Sequence, residues 1–586
     1  MDLRTDSRAL ALIKQLLDPT VTTKPQLDTL PQKPLFKPAP IKQPFTRATP
    51  ESQGIPSEQV AAFITELRAD NSLDPHGFLL LRHGKLIADV TFGAYRHDVW
   101  HITHSECKSI TGLAIGMLVD EGKLSVEDRL VDVLGEKTVG KVNALTHKGI
   151  QIKHLLTMTS GILFNEAGSV TEKDWVKCYM SSVITSEPGS TFNYNSMNTY
   201  MLSAVVKAVT GEGLVQYLTP RLFAPLGIEN FFWETCPMGI EKGGWGLYIM
   251  PEDIAKIGQM VLDKGVWKGK RIVSEAWIDA ATAKHAEAPA NFGAYNYGYQ
   301  IWVGREEHSF LFNGMFGQNV LGYFDSGILL VSNAGNNELF QQSSQYPIAD
   351  KYFGAVQYAD TPIRAARGAR SAVEKAKKYA ATELHRTQPQ LFGELMAKTP
   401  KRDIEALCQC LDGKTYKTTD KHAAALGVNP LYAQALQNNL AKGVRGLAFA
   451  SGKDGLVLTV MENDANHVLP IGFDKPKYTQ LDFHGEAHQV AVYGRFDTDE
   501  DATPVLTVRV SFLESANARI IKFFFSDGKL LSRWMESPGK TYLTGAMDSV
   551  RKQVAFVDTI LQRTDEELFV YAIERAFECE ADFTEV

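Results

Sequence analysis

Cysteine is scarce in this chain: six in 586 residues, at positions 107, 178, 236, 408, 410 and 579. So thin a set builds no disulfide framework and reads as free thiols in a reducing compartment. No apolar run approaches the roughly 18 residues that a membrane-spanning helix requires. The amino terminus, Met1-Asp2-Leu3-Arg4-Thr5-Asp6, carries acids early and lacks the apolar core of a secretory signal. Together these absences predict a cytoplasmic protein with no membrane partner. Positive charge is not in surplus either, since 61 Lys and Arg stand against 68 Asp and Glu for a net charge of −7. A nucleic-acid footprint needs the opposite balance on one face.

What is present is an ordinary globular composition, with 44% hydrophobic and 22% charged residues. That excludes a disordered or fibrous chain. At roughly 150 residues per domain the length predicts two to four units. Residues 1–18 have the spacing of a short amphipathic helix, and 19–50 hold eight of the 25 prolines, which predicts an extended arm. The first folded unit is expected over 51–358. It opens with a helix (Ser57 to Ala69), a strand (Gly77 to Arg82), a turn at His83-Gly84 and a second strand (Lys85 to Phe92). Arginines, lysines and alanines over 363–386 predict a basic, solvated connecting helix, giving a linker over 359–400. From 401 to 545 the period becomes two, as in Leu456 to Val460, Val505 to Leu513 and Arg519 to Phe525, with a hairpin turn at Ser526-Asp527-Gly528-Lys529. Residues 546–586 are expected to return to helix, with a capping box at Thr564 and Glu567. The fold class is α/β (α+β), with a mostly β carboxyl-terminal domain.

The chemistry concentrates at Ser105-Glu106-Cys107-Lys108. A serine and a lysine three apart on a helix share one face, and a serine in the first turn has its N–H near the positive end of the helix dipole. The pair suits acyl transfer: the lysine moves the hydroxyl proton if burial lowers its pKa, and a backbone N–H holds the oxyanion. The same four-residue pattern recurs at Ser526 to Lys529 and Ser537 to Lys540, where glycine and proline forbid a helix face.

Further blocks follow in order: Asp120-Glu121-Gly122-Lys123-Leu124, His154-Leu155-Leu156-Thr157-Met158-Thr159-Ser160-Gly161, Pro188-Gly189-Ser190-Thr191-Phe192-Asn193-Tyr194-Asn195-Ser196, Ala224 to Ile228, Gly243 to Tyr248 and Gly314-Met315-Phe316-Gly317-Gln318. With the Ser105 motif they make residues 50–350 resemble the serine β-lactamase and penicillin-binding-protein superfamily, in its class C-like, esterase and 6-aminohexanoate-dimer-hydrolase branch. The resemblance implies an antiparallel sheet flanked by a helical subdomain and a covalent acyl-enzyme on Ser105. Lys108 and Tyr194 would share the proton transfers, the base being either one. The N–H groups of Ser105 and Met315 would form the oxyanion hole. Ser196, Asn198, Phe312, Asn313 and Gly314 would face substrate, and neither a metal nor another cofactor is implied.

Two positions depart from the pattern. The family's asparagine two residues after the tyrosine is Ser196 here, with Asn198 two further on, and either polar side chain could serve the lysine. The third motif, usually Lys or His, any residue, Gly, reads Phe312-Asn313-Gly314 and lacks its cation. Gly135 to Lys141 imitates a phosphate loop but has Val142 where a hydroxyl should bind magnesium, so it is read as a surface loop. His484 to His488 and Cys408-Gln409-Cys410 lack zinc-site spacing. Two function classes fit: an active serine hydrolase of small esters or amides, or a hydrolase fold kept for binding. Intact Ser105, Lys108 and Tyr194 favour the first. Esters, ω-amino-acid amides, D-amino-acid peptides and β-lactams all fit such a triad, because specificity belongs to loops.

Overall fold

The computed structural model describes residues 33–586 apart from 164–168, 305–307, 355, 383–400, 423, 428–442, 453–454, 463–464, 484, 500–502 and 540–577. The chain divides into two compact units, the first mainly Lys37–Thr382 and the second Gln32–Phe36 with Glu383–Val586. The expected amino-terminal helix and the Thr564 capping box lie outside the described residues.

In the first unit β1 (Thr46–Arg47) precedes helix α1 (Ser57–Ala69), and β2 (Pro75–Arg82) and β3 (Lys85–Thr91) form a hairpin. His83 and Gly84 both take left-handed φ values, 48° and 69°, as a two-residue turn between twisted strands requires. Helices α2 (Lys108–Asp120), α3 (Ser196–Thr210) and α4 (Pro251–Leu262) follow. The chain then returns through β4 (Tyr295–Tyr297), β5 (Trp302–Gly304), β6 (Ser309–Gly314), β7 (Gln318–Tyr323) and β8 (Ile328–Ala334). The sheet order is β1-β3-β2-β8-β7-β6-β5-β4. Every pairing is antiparallel except β1 with β3. Strands β2 and β8 are buried along their whole length, so both faces of the sheet are covered. That explains their continuous apolar runs, Phe78 to Leu81 and Ile328 to Val331.

One face packs Phe63, Ile64 and Leu67 of α1 against Phe78, Leu80 and Leu330. On the other, α4 comes so close that a Cβ on Gly258 would stand 2.4 Å from Val320 Cγ1. Two expectations change here. The proline-rich arm is not wholly irregular, because Thr46 and Arg47 add an edge strand beside Lys85 and Leu86. The basic helix α5 (Ala369–Ala380) is no solvated linker: Ala376 and Ala380 are buried in the core beside α1, and Gly93 N–H donates to the Ala380 carbonyl. Its inward face is built of alanines, too small to register as an apolar stripe among four basic residues.

The second unit begins with α6 (Lys401–Leu411) and a ten-stranded antiparallel sheet. Its strands are β9 (Thr415–Lys417), β10 (Gly446–Gly452), β11 (Gly455–Met461), β12 (Asn466–Ile471), β13 (Lys477–Phe483), β14 (Glu486–Thr498), β15 (Pro504–Phe512), β16 (Ala518–Ser526), β17 (Lys529–Ser537) and β18 (Glu578–Glu585). They run β12-β11-β10-β9-β18-β17-β16-β15-β14-β13. The end strands β12 and β13 are consecutive and lie side by side, so the sheet nearly closes into a barrel. The strands expected at Leu456, Val505 and Arg519 are all present, and Ser526 pairs with Lys529 across the Asp527-Gly528 turn. The carboxyl end is corrected. Residues 578–585 are strand, wedged between β9 and β17, with Cys579, Ala581 and Phe583 inward and acids alternating outward. Gly135 to Lys141, expected as a loop, forms the short helix Glu136–Val139 and the start of Lys141–Thr146.

Candidate active site

His101 and Ile102 pair with Tyr248 and Ile249, which delivers the chain to a 3₁₀ turn at His104–Cys107 immediately before α2. Ser105 therefore sits in that turn rather than in the α-helix itself. Every residue of α2 from Lys108 to Leu118 is buried, so the helix is fixed on all sides. Lys108 is 2% exposed. Its Nζ lies 2.9 Å from Ser105 Oγ, 3.0 Å from Ser196 Oγ and 2.7 Å from the Gly244 carbonyl.

These three partners fit either protonation state. An ammonium has three N–H groups for three acceptors. A neutral amine keeps two, for Gly244 and Ser196, and offers its lone pair to the Ser105 hydroxyl. A proton can thus pass between Ser105 and Lys108 with no movement of heavy atoms.

Tyr194 packs its ring 5.0 Å from Lys108 Nζ. It is held by an aromatic wall, stacked on Trp302 at 5.7 Å and edge-on to Phe340 at 5.2 Å, with Phe292 and Tyr297 adjoining. The segment before it is strapped to the Thr157–Gly161 block, since Gly189 N–H donates to the Thr159 carbonyl and Asn193 N–H to that of Met158. That block is a positioning device rather than a chemical one. Of the two polar candidates after the tyrosine, Ser196 reaches the lysine. Asn198 is fully buried, and its Oδ1 accepts from Ser160 at 2.8 Å and Tyr179 at 2.7 Å. Its expected substrate contact is withdrawn.

Strand β6 lies against the nucleophile's turn. A Cβ on Gly314 would stand 2.2 Å from the Thr103 carbonyl, so only glycine fits, and Phe316 packs edge-on to His104 at 5.4 Å. Met315 stands between those two contacts with the nucleophile's turn. Phe312 and Asn313 are interior: Phe312 is fully buried against Phe310, and Asn313 Oδ1 accepts from Asn319 and Tyr346. Both side chains, expected to face substrate, are thus enclosed within the fold.

Burial shapes the electrostatics. His104 is driven down to about 3 by desolvation, helped by His101 and Lys108, and is neutral at neutral pH. Burial raises the Glu106 carboxyl well above its usual range and pushes the Cys107 thiol up to about 12, which leaves it unreactive. Sequence reasoning missed the Gly244 carbonyl; it stands in a quoted block, but a backbone oxygen has no residue-type signal. Among the described residues no group of three or more His, Cys, Asp or Glu is arranged to hold a metal, and no helix is long and apolar enough to cross a membrane.

Residues 60–340 match a family model described as Beta-lactamase. A 6-aminohexanoate-dimer hydrolase of Paenarthrobacter ureafaciens is 27% identical over 271 residues, 42% of this chain and 68% of that protein. Protein flp of Staphylococcus aureus (strain N315) is 28% identical over 201 residues, 32% of this chain, and the match spans only 39% of that relative. Among solved structures, a penicillin binding protein from Bacillus halodurans aligns with a TM-score of 0.39 at 18% identity, covering 50% of this chain and 97% of that one. Over residues 60–340, just under half of its length, this chain thus resembles the serine β-lactamase and penicillin-binding-protein superfamily.

Proposed function

We propose that this protein is a serine hydrolase that forms a covalent acyl-enzyme on Ser105 and acts on small, neutral esters or amides. The observation that carries the reading is the 2.9 Å contact between Lys108 Nζ and Ser105 Oγ, with Ser196 Oγ and the Gly244 carbonyl as further partners of the amine. Ser105 Oγ attacks the acyl carbonyl as its proton passes to Lys108. The N–H groups of Ser105 and Met315 hold the tetrahedral oxyanion. Lys108 and Tyr194 return the proton to the leaving alcohol or amine, and water repeats the sequence to free the acid.

The preference for neutral substrates rests on Phe312. Where relatives place a cation, this chain has a buried phenylalanine, and His104 next to the nucleophile carries no charge at neutral pH. A substrate carboxylate entering there would lose water without gaining a cationic partner. The relative named for 6-aminohexanoate-dimer hydrolysis supports an amide within the substrate range. Six free cysteines support a reducing, cytoplasmic setting.

The test is a panel of p-nitrophenyl butyrate, D-amino-acid amides and nitrocefin, with intact mass to catch the acyl-enzyme. Butyrate is expected to give the higher kcat/KM. Faster turnover of nitrocefin would sink the substrate assignment, and failure of a fluorophosphonate to label Ser105 would leave a fold kept for binding.

A further inference from the structure

Phe316 carries a non-glycine residue at φ 67°, a left-handed conformation that persists only when its surroundings impose it. It directly follows Met315. The loop after β8 supplies the constraint. Asn336 N–H donates to the Phe316 carbonyl at 3.0 Å, and Phe316 N–H donates to the Glu338 carbonyl at 3.1 Å, so both backbone groups of Phe316 are gripped. A Cβ on Gly317 would stand 2.7 Å from Asn336 Nδ2, which shows how closely the loop follows the turn.

The loop is organised from inside by one carboxylate. Glu338 is 2% exposed. One of its oxygens accepts from Ser343 N–H at 3.0 Å, the other from Ser343 Oγ at 2.9 Å and Asn336 Nδ2 at 3.2 Å. Between these anchors stands Phe340, edge-on to Tyr194.

We infer that Glu338 is a positioning residue for the hydrolysis proposed above, fixing the Met315 N–H and the Tyr194 ring through the loop from Asn336 to Ser343. The inference rests on that functional reading. Glu338 touches neither reacting atoms nor Ser105; it acts through the strained turn. Ionised, it accepts all three hydrogen bonds. Protonated, or replaced by an amide, it presents a hydrogen to at least one of those donors. Burial lifts its carboxyl to about 7, against the bonds from Ser343 and Asn336 that pull it down. The titratable groups facing it are Tyr346, from the helix that follows, and beyond that ring Glu106 from the nucleophile's turn. Burial raises both well above their ordinary values, against ionisation.

Rate and stability should therefore move in opposite directions with pH. The folded carboxyl titrates above its ordinary 4.5, so the fold gains stability from this group as pH falls from about 7 towards 4.5. Over the same range the loop loses its ionised anchor and kcat falls.

The experiment is Glu338→Gln in the full chain with p-nitrophenyl butyrate. Losing one oxyanion donor costs about 10²–10³ in kcat, and misplacing it should cost about 10–10². The expected result is that loss with KM within about twofold, and absence of the acid limb near pH 7 that is expected of the unaltered protein. Unchanged kcat, or a loss shared by KM with the acid limb intact, would overturn the inference. If Glu338→Gln does not fold, Ser343→Ala keeps the carboxylate and should lower kcat about 3–5-fold at constant KM; no loss there overturns it equally. Ser105→Ala runs in parallel: turnover surviving in it brings down the functional reading itself, whereas a dead Ser105→Ala beside a fully active Glu338→Gln removes only the role of Glu338.

Discussion

Lys108 in the first unit and Arg519 in the second are both buried cations, 2% and 3% exposed, yet their partners differ in kind. Arg519 pairs with Glu536 across neighbouring strands, and Lys33 of the same unit lies 2.7 Å from Glu514. Those charges are matched by opposite charges: the first pair fixes β16 against β17, and the second ties the segment at Lys33 to the turn after β15. Lys108 donates to two hydroxyls and a carbonyl. A hydroxyl can give up its proton to a neutral amine; a carboxylate opposite the amine would hold the proton in place. The first unit also contains the structural kind, in Lys242 with Glu234 and Lys256 with Asp253. Burial alone therefore does not mark a site, and the nature of the partner does.

The sharpest way to break that comparison is at Ser105. Ser105→Ala should lower kcat by about 10⁴-fold or more and abolish the acyl-enzyme seen by intact mass, and Lys108→Ala should come close to it. Residues acting as one unit lose function non-additively, so the double variant should be little worse than either alone. Fully additive losses would mean that the two do not share a proton. Tyr194→Phe comes next, with a fall of about 10²-fold in kcat, typical of lost acid–base help. Its melting temperature should hardly move, because the ring keeps its contacts with Trp302, Phe340 and Phe292.

Much of this is legible in the amino-acid sequence alone. The hairpin around His83-Gly84 and the strands from Leu456 to Phe525 follow from period and turn chemistry, which are local properties. The Ser105, Lys108 and Tyr194 grouping came from blocks in a family's order, although 86 positions separate Lys108 from Tyr194. What stayed hidden depends on distant backbone. The Gly244 carbonyl and the grip of Asn336 and Glu338 on Phe316 are made by groups whose residue types announce nothing. Asn198 looked like a site residue because it is polar and near Tyr194 in sequence, but the helical turn of α3 points it at Ser160 and Tyr179. The last strand, β18, is masked in the sequence because its period-two pattern spans only eight residues at the end of a helix-like stretch.

Ser196→Ala sharpens the comparison within the site. It removes one acceptor from Lys108 Nζ and leaves Ser105 and Gly244 in place. An unsatisfied buried N–H costs about 1–3 kcal/mol. The amine can relieve that by shedding a proton or by shifting towards Ser105, so kcat should fall by about 5–20-fold, the low end of that range in rate terms. A loss as deep as that of Lys108→Ala would place Ser196 on the proton path instead of beside it.

The smallest effect on turnover, and the clearest contrast, is expected from Arg519→Met. Glu536 is fully enclosed, and desolvation pushes its carboxyl up to about 7 even with Arg519 beside it. Among the described residues the pair is also only half satisfied, since Arg519 Nε and Glu536 Oε2 find no hydrogen-bond partner there. Removing the cation strands the carboxylate, at a cost of about 3–5 kcal/mol for a broken buried pair. The penalty should be largest above pH 7 and shrink below it, where Glu536 takes up a proton instead of remaining charged. Amide hydrogen exchange over β16 and β17 would report it as lost protection. Adding Glu536→Leu should restore that protection, because an apolar pair of similar volume often matches or exceeds a buried ion pair. Throughout, kcat on p-nitrophenyl butyrate should stay within about twofold of the unaltered protein, since neither residue belongs to the unit that holds Ser105. A tenfold fall in kcat with exchange protection intact would show that this ion pair is coupled to the chemistry, and the distinction between the two kinds of buried cation would no longer hold.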